Sequence, residues 1–208
     1  MHIPTAPTTD LEIISFEKLL LDALSPNEDY DISKWLFVPN KYDEFRYILG
    51  TRGSNPLICV GINPSTARPD KLDNTLKSVE RIAMSNGYDS FIMFNVYAQR
   101  ATNPKDMDKE MNMSLHEQNM AAFEYILKSY KSEKPSVWAA WGNIIEMRQY
   151  LPRCVEDMLT LGEKYGARWF SSGAISKKGH PHHPLYLKST SPLDDFDAYH
   201  YIHNILKK

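Results

Sequence analysis

The sequence predicts an α/β fold, a three-layer sandwich in which a central, mostly parallel sheet of about four strands is flanked by helices. Three observations predict it. Four short runs, LICV at 57–60, SFIMFNVYA at 90–98, SVWAAW at 136–141 and ARWFS at 167–171, are apolar almost throughout, as strands covered on both faces are. Helical periodicity fills the intervals between them, the order of an α/β domain. Each run also ends in polar or glycine-containing sequence, with Asn63, Asn95, Gly142 and a histidine-rich loop at the four ends. In such sheets ligands bind beyond the carboxyl ends of the strands, so four polar ends can converge on one pocket.

Taken in order, residues 1–10 are rich in Pro and Thr and read as a loose tail, leaving 11–208 as a single α/β domain. From Leu11 to Leu24 the apolar positions fit a helix face that Pro26 ends. WLFV at 35–38 and FRYIL at 45–49 suit two early strands. In PLICVGINPSTA, Gly61 lets the backbone turn or be approached, and Pro64 fixes a dihedral and removes a donor. What remains is a rigid polar tip with the Asn63 amide and the hydroxyls of Ser65 and Thr66, close to a coming helix. A plain capped turn has the same composition. Asp73 or Asn74 caps that helix, Leu76, Val79, Ile82 and Ala83 share one face, and Asn86-Gly87 closes it.

After the second strand, 99–113 reads as a long polar loop and Ser114–Tyr130 as a helix. The third strand ends at Gly142-Asn143. Ile144–Tyr150 and Val155–Tyr165 then read as one interrupted or two short helices around Pro152. The fourth strand leads into SGAISKKGHPHHPLYLKSTSPL, and Asp194–Leu206 completes the chain as an amphipathic helix.

At 208 residues with 42% hydrophobic residues, the chain is long enough to bury a core and too apolar for disorder. No run approaches the roughly 20 residues of a membrane span, and MHIPTAPTTD lacks a secretory pattern, which points to the cytoplasm. Cys59 and Cys154 read as isolated thiols, not a disulfide or zinc framework. A net charge of −2 gives no global attraction to nucleic acid. Arg46, Arg52, Arg68, Arg81, Arg100, Lys177 and Lys178 nevertheless flank the polar strand ends, either as a local basic patch or as solvated charge.

GINPSTA, the DNT triplet at 73–75, FNVYAQRATNP, AAWG and HPLYL, in that order, resemble the "domain of unknown function 1643" family over roughly residues 45–190. GINPS, Asn95, Trp141-Gly142 and HPHHPL are also similar in order to the motifs of uracil-DNA glycosylases and their mismatch-specific relatives. That second resemblance implies a uracil-DNA-glycosylase-like fold and N-glycosidic hydrolysis. Asn63 would position the attacking water, Asn95 would hydrogen-bond the extruded base, and His180 or His183 would stabilise the departing base. Such a bond breaks through an oxocarbenium-like sugar, so the site needs an oriented water and a donor to the base anion. A flipped base also needs an aromatic face, for which Phe94 and Tyr97 are candidates, and phosphate-gripping hydroxyls, for which Ser65, Thr66, Ser171 and Ser172 are. The chain departs from that pattern in two places: no serine lies between the final prolines, and Asn63 stands where the most active relatives carry a carboxylate. Asp70 or Asp73 is the nearby candidate to supply one.

Two alternatives stand beside this reading. The same pocket, through Asn63, Ser65, Thr66 and Asn95, suits a non-catalytic module for nucleotide or nucleic acid. Five of the seven histidines lie after residue 179, a density that suits a divalent metal, although zinc spacing is absent and no metal or cofactor is assigned.

Overall fold

The computed structural model describes residues 1–130 and 134–207. Its core is one seven-stranded mixed sheet in the order β1-β2-β4-β3-β5-β6-β7, formed by β1 (Trp35–Val38), β2 (Ile48–Thr51), β3 (Pro56–Gly61), β4 (Ser90–Asn95), β5 (Ser136–Ala139), β6 (Arg168–Ser171) and β7 (Asp194–Asp195). The expected sheet of about four mostly parallel strands is therefore too small. The four apolar runs form the contiguous parallel block β4-β3-β5-β6. WLFV and the end of FRYIL add an antiparallel hairpin on one side, and β7 adds an antiparallel edge on the other.

Side chains alternate across the parallel strands as the pleat requires. Ile58, Val60, Ile92, Phe94, Val137 and Ala139 join a core with α1 (Phe16–Ala23), α3 (Met113–Ser129) and α4 (Leu151–Lys164). Leu57, Cys59, Phe91, Met93, Trp138 and Ala140 face the other way, toward α2 (Asn74–Ser85), whose Leu76, Val79, Ile82 and Ala83 fill that side. The start of α2 is fixed by the Asp73 carboxylate, which accepts from the Leu76 amide at 2.9 Å. Its end is set by Gly87, whose φ of 83° suits glycine.

Four expectations change. Residues 1–10 are not a loose tail: the His2 amide donates to Thr102 at 2.7 Å, and the Thr8 amide and hydroxyl both donate to Asp108. The first helix starts at Phe16, not Leu11, because Ser15 caps it. Pro152 does not separate two helices but sits in the first turn of α4, where its missing N–H has no helical partner to lose. The C-terminal helix is not continuous from Asp194. Asp194 and Asp195 pair with Ser171 and Phe170 as β7, and only Ala198–Tyr201 is α-helical before a π-helical turn over Ile202–Leu206.

β3 lies between β4 and β5, so the chain runs from β3 to one neighbour and then crosses back to the other. The reversal opens a crevice at the carboxyl ends of β3 and β5. Register brings the polar tips together there, since Gly61 is the direct partner of Asn95.

Gly50 holds the hairpin against this block. A Cβ there would lie 2.4 Å from the Phe91 carbonyl oxygen and 2.8 Å from the Ile92 Cα, both backbone atoms that cannot rotate away. Gly50→Ala is expected to destabilise the fold by about 1–3 kcal/mol through overpacking, read as a lower urea midpoint. An unchanged midpoint would show that β2 moves away from β4 at little cost.

Candidate functional site

A cavity of about 530 Å³ occupies the crevice. The loop after β3 lines it with Gly61, Asn63, Ser65 and Thr66, β4 with Met93 and Asn95, and the first turn of α2 with Asp73–Leu76. The histidine loop closes a further wall with His183, Leu185 and Tyr186, and its Pro184–Tyr186 turn packs on α2. A second cavity of about 460 Å³ shares Thr66 and Asp73 and carries the exposed Arg68 and Lys71.

The loop after β3 is rigid because its polar groups are engaged from below. Asn63 Nδ2 donates to the Ala101 and Pro64 carbonyls at 2.7 and 3.1 Å, and the Ala101 amide returns a bond to Pro64 at 2.9 Å. Both Asn63 amide protons are thus used, which leaves Oδ1 as the group free to accept. Ser65 Oγ donates to Thr102 Oγ1 at 3.1 Å.

Asn95 is fully buried. With its amide oriented so that Nδ2 faces acceptors, it donates to the Asn63 and Phe94 carbonyls, each at 3.3 Å. The Asn95 carbonyl in turn accepts from Asn119 of α3 at 3.0 Å. The residue therefore ties the loop, the strand end and a helix into one network.

Two buried arginines lie under the same loop. Arg46 Nη1 and Arg100 Nη1 donate to one carbonyl oxygen, that of Ala67, at 3.2 and 3.3 Å, and Arg100 also reaches the Ser65 carbonyl. Arg46 belongs to the cavity wall. Burial and the neighbouring Arg100 lower its pKa to about 9, so it stays protonated at neutral pH. FRYIL shows this charge as an arginine inside an apolar run, a signal visible in the sequence although it does not assign a role.

Among the candidate histidines, His183 lines the cavity and His180 does not. His180 is buried, with Nδ1 2.8 Å from the Tyr201 hydroxyl and Nε2 3.1 Å from Glu146. Trp141 Nε1 donates to that same hydroxyl at 2.8 Å, so Tyr201 can donate onward to His180 and the cluster clasps the C-terminal helix. His183 Nδ1 accepts from the Leu185 amide at 3.3 Å, which puts the ring proton on Nε2. Burial, reinforced by His182 and opposed by Asp73, lowers its pKa and keeps it neutral.

Several other expectations are corrected. Phe94 packs on Phe123 at 5.0 Å in the core, and Tyr97 is buried with its hydroxyl accepting from the Asn112 amide, so neither offers a face to a base. Ser172 donates to the Pro192 carbonyl and Ser171 lies in β6, both outside the cavity lining. Gly142, at φ 63°, backs the site instead of lining it, with the position of a Cβ 3.7 Å from His183 Cβ. Of the two carboxylates, Asp70 is held by Lys34 and Trp35 away from the cavity, whereas Asp73 lines it. Among the described residues, no group of three His, Cys, Asp or Glu side chains is placed to hold a metal ion. His180, His200 and His203 each have a protein partner of their own.

The chain belongs to the family described as "Protein of unknown function (DUF1643)", which it matches over residues 46–185. That span runs from Arg46 to Leu185 and holds every cavity residue named here except Tyr186. No curated protein and no solved structure matches the chain.

The depressed pKa of His183 has a definite sign for stability. Folding favours its neutral form, so its contribution is fully present above the ordinary value of 6.5 and is lost as pH falls through the lower folded value. Melting temperatures measured across this window should fall with acidification more steeply in the wild type than in His183→Gln. Parallel pH profiles would contradict the half-buried, neutral assignment.

Proposed function

We propose that the protein binds a nucleobase-bearing ligand, a nucleotide or nucleic acid, in the cleft beyond β3, β4 and β5 and hydrolyses its N-glycosidic bond. The observation that carries this reading is the convergence of complementary groups on one cavity: the neutral His183 with its proton on Nε2, the Asp73 carboxylate and the acceptor Oδ1 of Asn63. The order of GINPS, Asn95, Trp141-Gly142 and HPHHPL, similar to that of uracil-DNA glycosylases, supports the same chemistry.

In this mechanism Asn63 Oδ1 and Asp73 orient a water at the anomeric carbon. The carbon–nitrogen bond breaks with its electron pair leaving on the base, while the sugar acquires oxocarbenium character. His183 Nε2–H hydrogen-bonds the base anion as charge develops there. The water oxygen bonds to the anomeric carbon and its proton passes to Asp73; the base departs as the anion held by His183 and takes up a proton from solvent, to which Asp73 releases the one it received. Met93, Ile62 and Leu76 give the cavity an apolar wall against which a base can lie.

Binding without turnover is the second reading, and one observation favours it. Asn63 and Asp73 already have structural tasks, the first bracing the loop and the second capping α2, which account for both residues without chemistry.

The discriminating substitution keeps the cap and removes the base. Asp73→Asn retains an N-cap oxygen. It should lower base release from uracil-, hypoxanthine- and mismatch-containing oligonucleotides and from free nucleotides on the order of 10²-fold or more, as loss of a general base does. His183→Gln should also reduce release. Release unaffected by both changes would contradict the assigned roles, and saturable binding without release would favour the second reading.

A further inference from the structure

Arg46 is the side chain least accounted for by its protein partners. It is 1% exposed, yet only Nη1 has an acceptor. Nε is sealed from solvent without one, and Nη2 forms no hydrogen bond among the described residues. Behind it, Arg100 is fully buried, and its Nε and Nη2 also lack acceptors. The ring of Tyr42 covers the Arg100 guanidinium at 4.3 Å.

Among the described residues neither arginine forms an ion pair with a carboxylate. Asp73, Asp43 and Glu44 act on the pair only at longer range. Buried guanidiniums are ordinarily matched by carboxylates or by several carbonyls, because an unmatched buried charge is costly. Here two share one carbonyl oxygen beside a cavity.

The remaining donors at that spot point to the same need. The first turn of α2 lines the cavity, and the backbone N–H groups of Asn74 and Thr75 have no partner among the described residues. The Thr66 hydroxyl is likewise unengaged at the cavity wall. Asp73 is the one acidic residue in the cavity lining, and one of its oxygens is already engaged by the Leu76 amide.

We propose that Arg46, Thr66 and the first turn of α2 form a subsite for a terminal phosphate monoester, with Arg100 as a positioning residue that adds charge from behind. The ligand of the cleft is then a free nucleoside monophosphate. This rests on the nucleobase reading above and narrows it.

The form of the site favours the monomer over a nucleic acid chain. Arg46 is a buried wall residue of a cavity whose volume, about 530 Å³, falls in the range of roughly 300–1,000 Å³ typical of small-molecule sites. A terminal phosphate can enter it, whereas a phosphodiester continued on both sides would need two exits. A monoester dianion also matches two guanidiniums. The net charge of −2 provides no general attraction to a polyanion.

The test is calorimetry on the full chain with inorganic phosphate, the four common nucleoside 5′-monophosphates, the corresponding nucleosides, and an oligonucleotide lacking terminal phosphates. At least one monophosphate should bind on the order of tenfold or more tighter than its nucleoside, as expected for a charge-assisted hydrogen bond. Inorganic phosphate should compete with it, and Arg46→Met should abolish the difference. Equal affinity of monophosphate and nucleoside would overturn the subsite and leave the base-binding reading standing. Phosphate binding with no preference for any nucleotide would overturn that reading and leave the subsite. Tighter binding of the oligonucleotide than of any monophosphate would overturn the monomer. Absence of binding by every probe would overturn both. Should Arg46→Met fail to fold, as judged by circular dichroism, the wild-type affinities alone decide.

Discussion

The loop after β3 depends on a single shared acceptor, the Ala67 carbonyl oxygen, on which two buried guanidiniums meet. Arg46 arrives from the segment before β2 and Arg100 from the segment after β4, so the contact joins three parts of the chain that are distant in sequence. Two like charges in a low-dielectric interior repel each other and lose hydration, which makes this a poor arrangement for stability alone. The loop nonetheless gains a fixed shape from it, reinforced by Asn63, Asn95 and the Ala101–Pro64 bond. A rigid loop over positive charge is the arrangement the proposed phosphate subsite requires.

The sheet topology places this loop where binding is expected. β3 stands at the reversal of strand order, its end is in register with Asn95, and the helix that follows it begins at the cavity. The histidine loop reaches the same place from the end of β6, with Gly142 beneath it. The cleft therefore gathers His183 from the histidine loop and Arg46, Thr66 and the first turn of α2 from other parts of the chain. The chemistry assigned to His183, Asp73 and Asn63 needs no strong nucleophile, only orientation and a donor for developing charge.

The parallel block was legible in the sequence because a strand covered on both faces must be apolar throughout, and β3, β4, β5 and β6 are. The Asp73 cap and the Asn86-Gly87 stop of α2 were legible because capping is local chemistry. β7 was not, because Asp194 and Asp195 are held by pairing with β6 and have no strand pattern of their own. The anchored N-terminus was likewise invisible, since its partners, Thr102 and Asp108, lie about a hundred residues away. At the site, the sequence brought Asn63, Ser65, Thr66 and Asn95 to the strand ends but did not distinguish His180 from His183, which lie in the same loop and differ only in tertiary surroundings. Phe94 and Tyr97 read as ligand platforms for the same reason: which way a strand end turns its aromatic residues is decided by the helices packed on it.

The proposed nucleotide site is the cleft beyond β3, β4 and β5. The most direct measurement is a nuclear magnetic resonance titration of the isotope-labelled chain with the four nucleoside 5′-monophosphates, following backbone amides, the Arg46 Nε–H and the His183 ring. Saturable shifts concentrated at residues 61–66, 73–76 and 183–186, together with Arg46, are the predicted result. Shifts confined to the groove between α4 and the C-terminal helix around Trp169 and Phe196, or no shifts at all, would contradict it.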